Sequence, residues 1–215
     1  MTKPVGILGG TFDPVHHGHL RLALECLHAA DLAEIRLIPA YTPPHRSTVS
    51  ASATQRMDML QLATNAADEL ITDDIEITRG GVSYTVETVQ ALRQHYGDTP
   101  ICLIMGIDAF NSIDQWKQWE LILDYVHIIV ADRPHTESTI TNNTVASLYS
   151  SKSASNPTDL QHAPAGRILM VNIPMLSISS TYIRHQFANG HIPHSLIPES
   201  VLAYITKEGI YTNTT

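Results

Sequence analysis

Short apolar runs of β character alternate with stretches of helical periodicity along this chain. A parallel sheet covered by crossover helices demands that alternation. Val5–Leu8 reads as a buried strand, Leu20, Ala23, Leu24 and Leu27 recur at helical spacing, and Ile35–Pro39 reads as the next strand, completing one βαβ unit. Met57, Leu60, Leu62 and Ala63 mark a second helix, Ile75–Thr78 a strand, Tyr84–His95 a helix, and Ile101–Met105 and Val126–Ala131 two strands. Ile168–Ile173 is strand-like, Ser179–Asn189 is a short helix with Gly190 placed to cap it, and Val201–Ile205 is apolar, with Pro198 suited to a first helical turn. The expected fold is a single α/β domain over 1–215, doubly wound around a parallel central sheet. Two segments interrupt it. Thr42–Thr54, with Pro43 and Pro44, and Arg133–Gly166, dense in Ser, Thr, Asn and Pro, both read as irregular. A structureless stretch as long as 134–166 is expected to be either a mobile functional loop or a solvated insertion.

The chain has 215 residues, 43% of them hydrophobic, enough for a sizeable core and too many for a stapled mini-protein. A formal charge of −8 argues against a general binder of the nucleic-acid backbone, so no nucleic-acid partner is expected. Anionic small molecules remain open, because a local basic pocket can sit inside an acidic surface. Cys26 and Cys102 lie in apolar runs without C-x-x-C spacing and read as buried free thiols of a reducing compartment. No stretch has the apolar length of a signal peptide or of a membrane span, so a cytoplasmic protein without a membrane partner is expected. Asn142 and Asn213 open Asn-x-Thr triplets, which recur by chance and carry no weight here.

The chemistry is concentrated between the first strand and the first helix, where Gly9-Gly10-Thr11-Phe12-Asp13-Pro14-Val15-His16-His17-Gly18-His19 stands. Ligands of α/β sheets bind outside the carboxyl ends of strands, at such a turn. Glycines let a backbone approach a ligand closely, and free amides at a helix start suit a phosphate. Neither a Walker A sequence nor G-x-G-x-x-G is present, so imidazoles take the place of the P-loop lysine. His16 and His19 are three apart, with Gly18 leaving room for substrate. A metal pair, solvated surface histidines and helix-capping groups are the competing readings. A zinc site wants a third ligand, which only Asp13 could offer nearby. His17 reads as exposed and incidental.

Gly-Gly-Thr-Phe-Asp-Pro followed by His-x-Gly-His closely resembles the nucleotidyltransferases of the HxGH type, and among them the bacterial nicotinate mononucleotide adenylyltransferases. Further stretches fall in the same order: Pro43-Pro44-His45-Arg46, Ser83-Tyr84-Thr85, Met105-Gly106-Ile107-Asp108, Trp116-Lys117-Gln118-Trp119 and Ser177-Ile178-Ser179-Ser180-Thr181-Tyr182-Ile183-Arg184. The resemblance spans nearly the whole chain except 136–164. It implies a Rossmann-like nucleotidyltransferase fold and transfer of the adenylyl group of ATP to nicotinate mononucleotide, with Mg²⁺ held mainly by substrate phosphates and no dedicated protein metal site. Homo-oligomerisation is left open.

Residue by residue, the resemblance implies catalytic roles for His16, His19 and Arg184. It implies ATP contacts from Gly9, Gly10, Thr11, Phe12, Gly18, Gly106, Asp108, Ile178, Ser180 and Thr181 as well. Mononucleotide contacts would come from Thr11, His45, Arg46, Tyr84, Thr85, Trp116 and Arg133. Simpler roles stand beside these: capping hydroxyls for Ser179, Ser180 and Thr181, helix caps for Asp108 and for Tyr84-Thr85, an exposed loop pair for His45 and Arg46, and core packing for Trp116. Trp119 is assigned to the core, and Asp13 to the outer shell of the metal. Arg184, one turn into its helix, lies on the same side as Ser180 and offers a planar fork to phosphate oxygens. The rival readings are a sister nucleotidyltransferase acting on another phosphorylated acceptor such as phosphopantetheine, a non-catalytic ATP- or NAD-sensing module, and a tRNA-linked synthetase fragment, which the acidic charge disfavours.

Overall fold

The computed structural model describes residues 2–44, 49–132 and 140–212. Its sheet has six parallel strands in the order β3-β2-β1-β4-β5-β6. These are β1 (Val5–Gly10), β2 (Glu34–Pro39), β3 (Leu70–Thr72), β4 (Ile101–Gly106), β5 (His127–Asp132) and β6 (Ile168–Asn172). The order steps outward from β1 in both directions, as a doubly wound sheet does. The helices are α1 (His17–Ala29), α2 (Ala53–Thr64), α3 (Ile75–Arg79), α4 (Thr85–Tyr96), α5 (Ile107–Asn111), α6 (Ile122–Tyr125), α7 (Asn143–Lys152), α8 (Ser180–Ala188) and α9 (Glu199–Glu208). No helix among the described residues is long and apolar enough to cross a membrane.

Packing divides the chain into two compact units. The first comprises Met1–Gly9, Leu22–Arg36 and Tyr84–Met175. β4 and the middle of β5 are apolar because both faces are covered: Ile101–Met105 and all of β5, including its terminal His127 and Asp132, are buried. A Cβ at Gly6 would stand 2.8 Å from Ile35 and Leu32, so this strand position has no room for a side chain. The second unit comprises Gly10–Arg21, Leu37–Ser83 and Leu176–Thr215. Here α2 packs on α9, with the Tyr204 hydroxyl donating to Asp58 at 2.7 Å and Ser200 Oγ to the Leu62 carbonyl at 3.0 Å.

Three expectations are corrected. Ile75–Thr78 alternates like a strand but forms α3, because Asp73 accepts from the Ile75 amide at 3.0 Å and the Thr78 amide reaches the Asp74 carbonyl at 2.8 Å, closing a helical turn. The neighbouring strand is Leu70–Thr72 instead. Apolar spacing puts the α2 stripe on Met57, Leu60, Leu62 and Ala63, whereas the buried residues are Arg56, Met59, Leu60 and Thr64. A buried arginine is invisible to apolar periodicity. Finally, 140–166 is not irregular throughout: Asn142 caps α7 by accepting from the Thr144 amide at 2.9 Å, and a 3₁₀ helix spans Pro157–Gln161. The end of this segment is tied to β5 by the buried His127, whose Nδ1 accepts from the Arg167 amide at 3.0 Å and whose Nε2 donates to the Ala163 carbonyl at 2.8 Å.

Candidate active site

Within the second unit the loop after β1 is held by charge from below. Arg56 is 1% exposed and spends its guanidinium on three carbonyls: Thr11 at 2.8 Å, Tyr41 at 3.0 Å and Ala51 at 3.3 Å. Asp13, 2% exposed, accepts from the Ser50 amide at 2.9 Å, the Ala51 amide at 3.1 Å and the Tyr211 hydroxyl at 2.7 Å. Burial lowers the Arg56 pKa, and Asp13, Tyr211 and Glu76 oppose that shift. The loop backbone is thus fixed by full hydrogen bonding of buried polar groups. Phe12, with φ of 50°, turns its ring inward, where it is buried.

The two histidines follow directly. Their rings stack with centroids 3.6 Å apart and 16° between planes, and Phe12 meets His19 edge-on at 5.0 Å. The His16 amide donates to His19 Nδ1 at 3.2 Å, so the capping reading of His19 holds as local geometry. With Nδ1 accepting, the neutral ring of His19 carries its proton on Nε2. His16 is buried, its Nδ1 has no hydrogen-bond partner, and burial pulls its pKa down to about 4. Gly18 is required beside it, because a Cβ there would lie 2.9 Å from His16 Nδ1 and 3.6 Å from Ile178. His17 is half-buried rather than exposed, and its amide donates to the Leu196 carbonyl at 3.0 Å.

The start of α8 reaches the same loop. Ser179 is the capping hydroxyl, accepting from the Tyr182 amide at 3.2 Å. Ser180 instead donates to the Pro14 carbonyl at 2.9 Å, and Arg184 Nη1 donates to the Asp13 carbonyl at 2.6 Å while lying 3.8 Å from Asp13 Oδ2. Arg184 Nη2 donates to Thr181 Oγ1 at 3.3 Å. His16, His19, Ser180, Thr181 and Arg184 are thereby gathered around the loop from Thr11 to Gly18. Such a group of imidazoles, hydroxyls and one guanidinium can receive phosphate oxygens. Asp13, expected in a metal's outer shell, has its two oxygens engaged by these internal donors.

Gly9, Tyr84, Thr85, Gly106, Asp108 and Trp116 belong to the first unit. A Cβ at Gly9 would meet nothing within 4 Å, leaving that backbone open to close approach. Gly106, not Asp108, is the N-cap of α5; Asp108 lies in the first turn and is exposed. Tyr84 is the N-cap of α4 without a side-chain cap, so the start of this helix, at Thr85, keeps its leading amides free of a capping side chain. Lys117 stands 4.1 Å from the centre of the Tyr84 ring and 2.8 Å from Glu87. Trp116 ends a 3₁₀ turn, Ile113–Gln115, and is half-buried; Trp119 is half-buried too, outside the core to which it was assigned. His45, Arg46 and Arg133 lie outside the described residues. Sequence reasoning missed Arg56, Tyr211 and Lys117, none of which belongs to the phosphate-loop motif.

A family model described as cytidylyltransferase-like matches residues 7–186. A Marinobacter nauticus protein named probable nicotinate-nucleotide adenylyltransferase is 40% identical over 206 residues, covering 95% of each chain. A Pseudomonas fluorescens protein of the same name is 41% identical over 212 residues, covering 98% of each. Among solved structures, Plasmodium falciparum nicotinic acid mononucleotide adenylyltransferase complexed with NaAD aligns with a TM-score of 0.72 over 97% of each chain at 18% identity, a likeness of fold.

Proposed function

The chain belongs to the cytidylyltransferase-like family and, within it, to the nicotinate-nucleotide adenylyltransferases, and we propose that it joins ATP to nicotinate mononucleotide, releasing pyrophosphate. The observation that carries this reading is the gathering of His16, His19, Thr181 and Arg184 around one backbone loop.

In the proposed reaction the phosphate of nicotinate mononucleotide attacks the α-phosphorus of ATP. The new P–O bond forms as the bond to the β-phosphate oxygen breaks, and the electron pair leaves with pyrophosphate. The attacking group is already an oxyanion, so the protein needs no nucleophile; its work is alignment and charge neutralisation. His19 offers Nε2–H to an α-phosphate oxygen. His16, with burial holding it neutral near pH 7, adds hydrogen bonding without a full charge. Arg184, the Thr181 hydroxyl and the backbone amide of Ser180 at the start of α8 receive the leaving pyrophosphate, and Gly9, Gly10, Thr11, Phe12, Gly18 and Ile178 shape the nucleotide's bed. In the first unit, Gly106 and Asp108 take the adenosine, the start of α4 at Thr85 takes the nicotinate carboxylate, and Trp116 stacks on the ring. His45, Arg46 and Arg133 complete the mononucleotide contacts.

Among the described residues no group of His, Cys, Asp and Glu could hold a metal, and Asp13 is engaged internally. Mg²⁺ would enter with ATP, held mainly through substrate phosphates, and would neutralise charge on them. We place the enzyme in the cytoplasm, a reading supported by two free, buried cysteines.

Pyrophosphate release from Mg·ATP, with nicotinate mononucleotide, nicotinamide mononucleotide and phosphopantetheine offered separately, tests the proposal. Strong preference for the nicotinate substrate is expected. Release with phosphopantetheine alone would keep an adenylyltransferase and discard the acceptor; tight ATP binding with no release at all would overturn catalysis.

A further inference from the structure

Near the end of the chain, Tyr211 touches two parts of the candidate site at once. Its hydroxyl donates to Asp13 Oδ1 at 2.7 Å, and its ring lies 6.1 Å from Phe187 on α8, the helix that carries Arg184. The backbone at Tyr211 adopts φ of 67°, a conformation unfavourable to a side chain of this size, straight after the αL cap at Gly209. Ile210, buried beside it, anchors the segment. Nothing in the proposed chemistry uses this phenol.

Its position matters because Asp13 is the carboxylate that stands beside Arg184, 3.8 Å from its guanidinium. Arg184 Nη1 is bonded to the Asp13 carbonyl and stops 3.8 Å short of Oδ2. The carboxylate is kept from drawing the guanidinium fully in because Ser50, Ala51 and Tyr211 already supply its hydrogen bonds. Resting on the proposed function, we infer that Tyr211 is a positioning residue: by satisfying Asp13 it leaves Arg184 available to the phosphates of ATP. Burial beside the Asp13 carboxylate raises the phenol's pKa, so the hydroxyl stays a donor throughout the working range. Without it, Oδ1 keeps one amide, and the Arg184 guanidinium, 3.8 Å from Oδ2, is a cation within reach of the same carboxylate. A buried acceptor left short of partners recruits what it can reach.

Tyr211→Phe removes the hydroxyl and keeps the ring on Phe187. The expected result is a tenfold or greater weakening for Mg·ATP, read both as KM and by calorimetry, with the KM for nicotinate mononucleotide changing less than threefold. Combined with Arg184→Ala, the same substitution should add less than twofold, since both act on one interaction. Tyr211→Ala should show the same ATP defect with a lower Tm as well. Unchanged ATP affinity in Tyr211→Phe, a full additional loss in the Arg184→Ala background, or equal weakening of both substrates would overturn the inference. A wild-type protein that binds Mg·ATP but releases no pyrophosphate would sink the proposed function while the calorimetric comparison still decided the role of Tyr211.

Discussion

Around Asp13 the charges are buried and answered: Arg56 spends its guanidinium on three carbonyls, Asp13 takes two amides and a phenol, and Arg184 is bonded to the backbone of the loop it serves. Around Trp116 the construction is lighter. There the chain passes through two 3₁₀ turns, Ile113–Gln115 and Trp119–Leu121, and the ionic contact is the partly exposed pair Lys117–Glu87. The first arrangement fixes donors where charge will change during phosphoryl transfer, so reorganisation is small when the reaction occurs. The second, on the proposed reading, has a flat ring to hold, for which stacking area and a few amides suffice. Substitutions in the two regions should therefore fail differently: stability and rate in the first, acceptor affinity in the second.

The largest effect is expected at Arg56. Arg56→Met strips three carbonyls of their donor and Asp13 of a compensating charge while removing a guanidinium that is itself 1% exposed, which should cost roughly 3–5 kcal/mol in urea unfolding. Arg56→Lys should recover only part of that, since an ammonium cannot reproduce the planar fork. A loss below about 1 kcal/mol would remove the contrast, because the loop would then not depend on its buried charges. His19→Ala follows, with kcat down by at least roughly 100-fold, about 2.7 kcal/mol, at nearly unchanged Tm. A near-normal rate would take the imidazole out of the mechanism.

Acid should weaken the same region next. His16 is neutral when folded down to about pH 4, whereas an unfolded histidine takes up its proton near 6.5. Stability from this group is thus complete above about pH 6.5 and is lost as the pH falls, amounting to about 2 kcal/mol by pH 5. His127, also pulled down by burial, pushes in the same direction. Unfolding free energies of wild type and His16→Gln between pH 7 and 5 should converge on acidification; parallel curves would mean that His16 is solvated and protonated in the fold.

How far the sequence could be read follows the same division. The loop after β1 stands out in the sequence because its residues are contiguous, a strand, two glycines and two histidines in one short stretch, and contiguity needs no knowledge of packing. The sheet was legible because its central strands carry apolar runs, Ile101–Met105 and Ile128–Ala131 among them. Arg56 was not, since a charge on a helix normally faces water, and only the carbonyls of Thr11, Tyr41 and Ala51 make its burial tolerable. Tyr211 was not either: it lies 198 residues from Asp13. A tryptophan such as Trp119 reads as core because large aromatic rings are usually buried, but its 3₁₀ turn leaves it half-buried.

On the lighter side, Trp116→Ala should raise the KM for nicotinate mononucleotide about tenfold, worth roughly 1.4 kcal/mol, and leave the KM for ATP within about twofold. Equal weakening of both substrates would assign Trp116 to packing and make the two regions alike.

The smallest effect is expected at Lys117. Its ammonium lies over the Tyr84 ring at 4.1 Å and beside Glu87 at 2.8 Å, but the two charged side chains are 44% and 39% exposed. Water and salt screen such a pair, and an exposed ammonium over a half-buried surface ring adds little, so Lys117→Met should lower stability by less than about 1 kcal/mol. Because Glu87 already answers the ammonium, the KM for nicotinate mononucleotide should rise no more than about threefold, as the loss of one partly engaged surface charge implies. Kinetics with nicotinate and nicotinamide mononucleotides decide the point, since the two acceptors differ by one charge. A tenfold rise confined to the nicotinate substrate would show Lys117 acting as a direct counter-charge to the carboxylate, and the acceptor side would then share the electrostatic design of the phosphate loop.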